Sequence, residues 1–376
     1  MKKRTRRNPA KGVVRYAVVG LGHIAQVAVL PAFAHAKKNS RLVALFSDDK
    51  VKRQELEKKY KVPQVASYED YDRMLAEGII DAVYIALPNS MHLDFAVRAA
   101  KAGVHVLCEK PLTSTARDSE KVIAACEKYR VKLMTAYRLH FEKSNLEAIK
   151  IVRSGKLGEL RYFNSIFSMQ ANDPNIRLKK KMGGGPLHDL GVYCINAARY
   201  LFGDEPTEVI GVTATGRDPR FREVPEMVSA TLRFPGEKIA TFVCSFGAAD
   251  ASICHVVGTK GRIELRNAYE YVEPIELQTT IKDKETKREF QTRDQFAPEL
   301  LYFSDCVLKN KKPEPSGEEG LADVRVVEVL YQSAERGLPV RLPVIAKRKR
   351  PSLAQEIRRP AIKKPRLVHA RPGNKS

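Results

Sequence analysis

The stretch RYAVVGLGHIA, residues 15–25, decides how the fold is read. Residues 15–19 are a short apolar, β-branched run, as a buried strand requires. Gly20, Gly22 and Ala25 then form a G-x-G-x-x-A turn enclosing His23 and Ile24, and residues 24–36 are apolar-rich with helical character. In such a turn the first glycine permits the tight bend, the second lets a pyrophosphate approach the backbone, and the small third residue lets helix pack on strand. The anion then meets the free N–H groups of the helix N-terminus. Taken alone the turn is weak evidence, because a tight βα connection without a ligand has the same residues. Its place between a strand and a helix, at the head of a βαβ series, favours a dinucleotide site.

Working outward, LVALFS (42–47), DAVYIAL (81–87), HVLC (105–108) and KLMTAY (132–137) are further strand runs. Helix-prone stretches at 49–60, 91–102 and 115–129 separate them. Strands without polar alternation are buried on both faces, and interleaved helices supply the crossovers, so residues 13–137 read as a parallel, doubly wound Rossmann domain. Beyond it the pattern changes. A helix near 142–153 precedes strand runs near 160–168, 207–215, 227–234, 238–246, 252–257 and 261–266, with turns at Pro235-Gly236 and Lys260-Gly261. This second domain, 138–343, reads as α+β with a large, mainly antiparallel open sheet and helices near 187–202, 294–309 and 318–336.

At the end of the second strand Asp48 stands 28 residues after Gly20, where a carboxylate would accept bonds from both ribose hydroxyls and favour NAD. Ser47, Lys52 and Arg53 are a hydroxyl and two cations suited to a 2′-phosphate. They tilt the reading to NADP, with NAD left open and a solvated helix face as the plain alternative for the two cations.

The chain has 376 residues, enough for about two or three domains. Hydrophobic residues at 43% and charged residues at 29% fit a globular chain with a sizeable core, and nothing approaches the roughly 18 consecutive apolar residues of a membrane span. The net charge of +22 sits mostly in two tails: residues 1–12 carry +6 and residues 344–376 carry +10, leaving +6 on the body. The runs KRKR (347–350) and RRPAIKKPR (358–366) suit weak, nonspecific polyanion binding, and the second tail is expected to be disordered. Six cysteines without a CxxC pair, and histidines outside zinc-ligand spacing, argue against disulfides and metal and for a reducing compartment. The basic N-terminus lacks the apolar core of a signal peptide, which gives the cytoplasm as the expected location.

Three more segments, LPNSMH (87–92), CEKPL (108–112) and GGGPLHDLGVY (183–193), complete a set with GLGHIA. Together they resemble the glucose–fructose oxidoreductase / inositol dehydrogenase / rhizopine-catabolism oxidoreductase family over residues 13–340, and most of all the glucose–fructose oxidoreductase branch. AYRLHF (136–141), NDPNIRLKKKMGGG (172–185), INAARYLFGDEP (195–206) and PSGEEGLADVR (315–325) add to the likeness. The resemblance implies an NAD(P)-dependent oxidoreductase acting on a sugar, polyol or keto sugar, and a homo-oligomer, dimer or tetramer, formed through the second sheet. It places the family's catalytic lysine on Lys110 and its catalytic aspartate and tyrosine on Asp189 and Tyr193. It puts cofactor or substrate contacts at Arg138 and Arg177, and the cofactor-lining loop at Leu87, Pro88, Asn89 and His92, with Glu109 beside Lys110. The branch tends to have glycine where Asp48 stands.

The residue types suit these roles. Oxidising a hydroxyl requires a proton acceptor, and a phenol with a reference pKa of about 10 is a poor one until an ammonium favours the phenolate. Asp189, four residues before Tyr193, shares its helix face. His188 faces away and suits a structural role, and His92 and His140 read equally well as ligand contacts or satisfied core histidines. Each catalytic candidate also has a plain reading: a surface lysine, a helix cap, a half-buried packing tyrosine. Two other functions remain open: a noncatalytic dinucleotide-sensing regulator on the same fold, and nucleic-acid binding through the basic tails.

Overall fold

The structure, a computed structural model, describes residues 12–343 and 351–373. The basic residues 1–11 and the run KRKR therefore lie outside the described residues. The chain divides into two compact units. The first comprises the residues up to Arg138 together with Asp294–Leu321 and Arg358–Pro372. The second comprises Leu139–Arg293, Ala322–Ile357 and the chain from Gly373.

In the first unit, strands β1 (Val14–Val19), β2 (Ser40–Phe46), β3 (Gln64–Ala66), β4 (Ala82–Ile85), β5 (His105–Glu109) and β6 (Leu133–Ala136) form one sheet in the order β3-β2-β1-β4-β5-β6. Every pairing is parallel. The strand order reverses at β1, so the crevice beyond the carboxyl ends of β1, β2 and β4 is the ligand position of this topology. Helices α1 (residues 23–32), α2 (Lys50–Tyr60), α3 (Tyr71–Ala76), α4 (His92–Lys101) and α5 (Ala116–Lys128) make the crossovers. The starts of α2 and α5 are fixed by side chains: Asp49 accepts from Lys52 N at 3.0 Å, and Thr115 Oγ1 from Asp118 N at 3.1 Å. The short β3 and α3 carry too few residues for a periodicity, and the sequence pattern does not show them.

Two segments far along the chain join this unit. Helix α8 (Ala297–Leu308) packs on β1 and β2, where Ser304 Oγ lies 2.8 Å from both Tyr16 Oη and Ser40 Oγ, and Asn39 Nδ2 donates to Leu301 O at 2.9 Å. The last segment, for which the sequence suggested disorder, has a defined path between 358 and 372. Arg359 Nε donates to His35 O at 2.9 Å, Lys59 Nζ to Arg366 O at 3.0 Å, and Val368 N to Gln26 Oε1 at 2.8 Å. Two of these bonds use the segment's main chain, which leaves no sign in composition.

The second unit has helix α6 (Lys143–Arg153), helix α7 (Val192–Phe202) and nine strands: β7 (Leu160–Gln170), β8 (Glu208–Ala214), β9 (Met227–Phe234), β10 (Lys238–Ser245), β11 (Gly247–Gly258), β12 (Gly261–Arg266), β13 (Ile275–Ile281), β14 (Lys284–Phe290) and β15 (Val340–Arg341). Their order is β14-β13-β12-β11-β7-β10-β9-β8-β15. All pairs are antiparallel except β7 with β10. One face packs on α6 and α7 through Phe163, Phe242, Cys244 and Ile195. The other face leaves Tyr162, Ile166, Ile210, Val212 and Ile239 well exposed, Val212 by 60%. Helix α9 (Gly317–Arg336) begins in the first unit and continues in the second. No helix among the described residues is long and apolar enough to cross a membrane.

Candidate active site

The glycine turn is built for close approach. Gly20 has φ +94°, and a Cβ there would meet Ala86 O at 2.5 Å, so only glycine fits. At Gly22 a Cβ would meet nothing within 4 Å. That open backbone before the start of α1, His23 and Ile24, is the cradle a pyrophosphate requires, and the residues present fit a dinucleotide. The middle of α1, Ala25–Val29, is a widened π turn, a feature frequent at functional sites.

The end of β2 is more occupied than the sequence suggests. Asp48 Oδ1 accepts from Tyr68 N at 2.9 Å, so one of its oxygens holds a neighbouring loop. Asp49, which the sequence reading passed over, is the cap of α2. Ser47 is buried, its Oγ accepts from Asp49 N at 3.2 Å, and its carbonyl accepts from Arg53. Lys52 Nζ lies 4.0 Å from Asp49 Oδ2. Ser47, Lys52 and Arg53 thus gather as a hydroxyl and two cations around one turn.

His92 ties two loops together. The ring is fully buried, with Nδ1 3.0 Å from Pro111 O and Nε2 2.9 Å from Leu87 O. Burial lowers its pKa although the carbonyls oppose the shift. A neutral ring has one N–H, so one contact at a time is a hydrogen bond. Its role is to fix Leu87, Pro88 and Asn89 against the segment that follows Lys110. His140 joins the core of the second unit, with Nε2 2.8 Å from Asn196 Oδ1.

Lys110 follows Glu109 at the carboxyl end of β5. Tyr84 Oη donates to Glu109 Oε1 at 2.7 Å and lies 3.5 Å from Glu299 Oε2, on α8. Glu299 is fully buried, and its Oε1 has no hydrogen-bond partner among the described residues. Burial, then the neighbouring Glu109, push its pKa well above the ordinary carboxyl range. Burial also raises Glu109, against the pull of Lys110. Arg138, buried and donating to Gln295 Oε1, adds a second cation to this acid pair. The sequence reading missed Glu299; its one signal is a lone early acid in the apolar helix APELLYFSDCVL.

The second unit gathers Arg177, Asp189 and Tyr193. The run Gly183–Gly185 folds back on Arg177: a Cβ at Gly184 would meet Arg177 O at 2.3 Å, and Gly185 N donates to that carbonyl at 2.9 Å. This turn brings Arg177 Nε to 2.5 Å from Asp189 Oδ2. Asp189 raises the guanidinium pKa further, against burial, with Tyr271 and Tyr193 adding to it. Asp189 lies in a π turn, Leu187–Gly191, and not in the regular α-helix expected; α7 begins only at Val192. Tyr193 is half-buried and set edge-on against Phe167, ring centres 5.7 Å apart. His188 stacks on Tyr331, as a structural role requires. No group of three His, Cys, Asp or Glu among the described residues could hold a metal, and all six cysteines are buried and unbridged.

A glycine-turn Rossmann unit beside a lysine-bearing strand end defines the class: an oxidoreductase with an NAD(P)-binding domain. Comparison with known proteins gives the family. Residues 14–137 match the model of the oxidoreductase family with NAD-binding Rossmann fold, and residues 145–264 match the GFO/IDH/MocA C-terminal domain. The chain belongs to the GFO/IDH/MocA oxidoreductase family, as the four motifs implied. It is 29% identical to D-xylose 1-dehydrogenase [NADP(+)] of Haloarcula marismortui, over 88% of this chain and 93% of that one. It is 30% identical to D-xylose 1-dehydrogenase (NADP(+)) 2 of Haloferax volcanii, over 87% and 99%. Among solved structures, aldose-aldose oxidoreductase from Caulobacter crescentus, complexed with glycerol, superposes with a TM-score of 0.84 at 38% identity, covering 88% of this chain and all of that one.

Proposed function

We propose that this oxidoreductase transfers hydride between NADP and a hydroxyl carbon of a monosaccharide, an aldose first of all, in the cytoplasm. The observation that carries the reading is the Arg177–Asp189 ion pair on the turn that leads into Tyr193, in a chain whose other unit presents Lys110 and the glycine cradle. The names of the similar xylose dehydrogenases and aldose oxidoreductase support the substrate class.

In this reading Gly20, Gly22 and the N-terminus of α1 hold the pyrophosphate, and Ser47, Lys52 and Arg53 bind the 2′-phosphate. The bound nicotinamide supplies or accepts the hydride. Tyr193 Oη takes the proton of the sugar hydroxyl in oxidation and returns it in reduction. Lys110 steadies the reacting oxygen as charge develops. Asp189, paired with Arg177, accepts a hydrogen bond from the sugar and positions it.

The exposed apolar face around Tyr162, Ile210, Val212 and Ile239 supports a homo-oligomer formed through the second sheet, since monomers rarely leave such a patch open. The exposed Arg358, Lys363, Lys364 and Arg366 suit weak, salt-sensitive polyanion contact.

The test is a panel of aldoses, polyols and keto sugars mixed with purified protein and NADP or NAD, read as nicotinamide absorbance. Turnover with an aldose and NADP is expected. Tight dinucleotide binding with no hydride transfer to any member of the panel would return the noncatalytic regulator in its place.

A further inference from the structure

The C-terminal segment enters the first unit where the cofactor's adenosine half belongs. Gln26, four residues after Gly22 and 1% exposed, donates from Nε2 both to Leu21 O in the glycine turn (3.0 Å) and to Val368 O (2.8 Å). Val368 N donates back to Gln26 Oε1 at 2.8 Å. One residue on, His369 Nδ1 lies 3.1 Å from Asp49 Oδ2. Asp49 is the carboxylate whose amide binds Ser47 Oγ and whose side chain lies near Lys52. On the other side, Lys59 Nζ holds Arg366 O at 3.0 Å. Residues 366–369 therefore span from the β1 turn to the β2 turn, the two loops that flank a bound adenosine ribose and pyrophosphate in this topology.

We propose that residues 366–369 are part of the cofactor-binding site, a strap joining the β1 and β2 turns that retains NADP. The inference rests on the dinucleotide reading above. Its chemistry is direct. The Gln26–Val368 pair is a two-way amide contact anchored in the turn that meets the pyrophosphate. His369 brings a basic side chain to the end of β2, where Ser47, Lys52 and Arg53 already gather. Leaving the site requires the strap to lift. Main-chain bonds at one end and a side-chain bond at the other set how often it does, so the segment governs release more than entry.

The test uses the full chain carrying Val368→Pro with His369→Ala. The first change removes the amide that bonds Gln26, the second the group facing Asp49, and neither touches the core. NADPH release is followed by stopped-flow fluorescence on displacement with excess NADP. Release about tenfold faster than in the wild type is expected from the loss of two or three modest hydrogen bonds. Unchanged or slower release overturns the strap. A second readout is amide exchange at 366–369 in the wild type. It slows when NADPH is added if the segment closes on the cofactor, and exchange that quickens overturns the proposal by marking a segment the cofactor displaces. If the wild type binds no dinucleotide, the underlying reading fails with it, whereas NADPH binding with unaltered release removes the strap alone.

Discussion

Two carboxyl clusters, one in each unit, show how the same functional group is put to opposite uses. Beside Lys110, Glu299 is fully buried, with one oxygen lacking a hydrogen-bond partner among the described residues and a second acid, Glu109, reached through Tyr84. Its environment resists charge, and burial raises its pKa. Near Tyr193, Asp189 keeps an arginine at 2.5 Å, an arrangement that fixes a negative charge. The first cluster gathers its acids in a buried setting that disfavours charge, and the second pairs its acid with a guanidinium. Burial against pairing decides between them.

Replacing each acid by its amide sharpens the contrast, and the signs should differ. Asp189→Asn removes the charge that Arg177 faces and the acceptor proposed for the sugar. Turnover falls roughly 10²-fold in kcat/KM, and stability drops by about 1 kcal/mol as Arg177 loses its partner. Steady-state kinetics beside thermal melts check both; an unaltered kcat/KM breaks the assignment of the second cluster.

Glu299→Gln has a smaller effect in the other direction. A carboxyl whose pKa is raised in the fold binds its proton more tightly folded than unfolded. Stability is therefore full below the ordinary carboxyl range and declines as pH rises above it. The amide does not ionise, so its melting temperature should match the wild type near pH 4 and exceed it by a margin that grows as pH rises above the ordinary carboxyl range. A margin that shrinks with rising pH would mean that Glu299 carries a charge in the fold.

The parts of the molecule legible in sequence are those where local chemistry is specific. The glycine turn is legible because a close approach at Gly20 admits one residue type, and β1, β4 and β5 because a strand buried on both faces has no polar alternation. Strand β14, KETKREF, is the opposite case. Six of its seven residues are exposed, and it is a strand only because β13 pairs with it across Lys282-Asp283, both at positive φ. An edge strand of charged residues carries no hydrophobic signal. Glu299 and the Val368–Gln26 contact were hidden for another reason: both depend on partners roughly 200 or more residues away, which no spacing rule reports. Lys110, Asp189 and Tyr193 are candidates through their motifs alone, while the Arg177–Asp189 distance required the backbone turn at Gly184.

The most direct test of the account is single-turnover hydride transfer from an aldose to NADP in wild type, Tyr193→Phe and Lys110→Ala, with NADP affinity measured on the same samples. The account predicts that both variants bind NADP as the wild type does and lose about 10²–10⁴-fold in the rate of nicotinamide reduction. Reduction at the wild-type rate in both variants would contradict it.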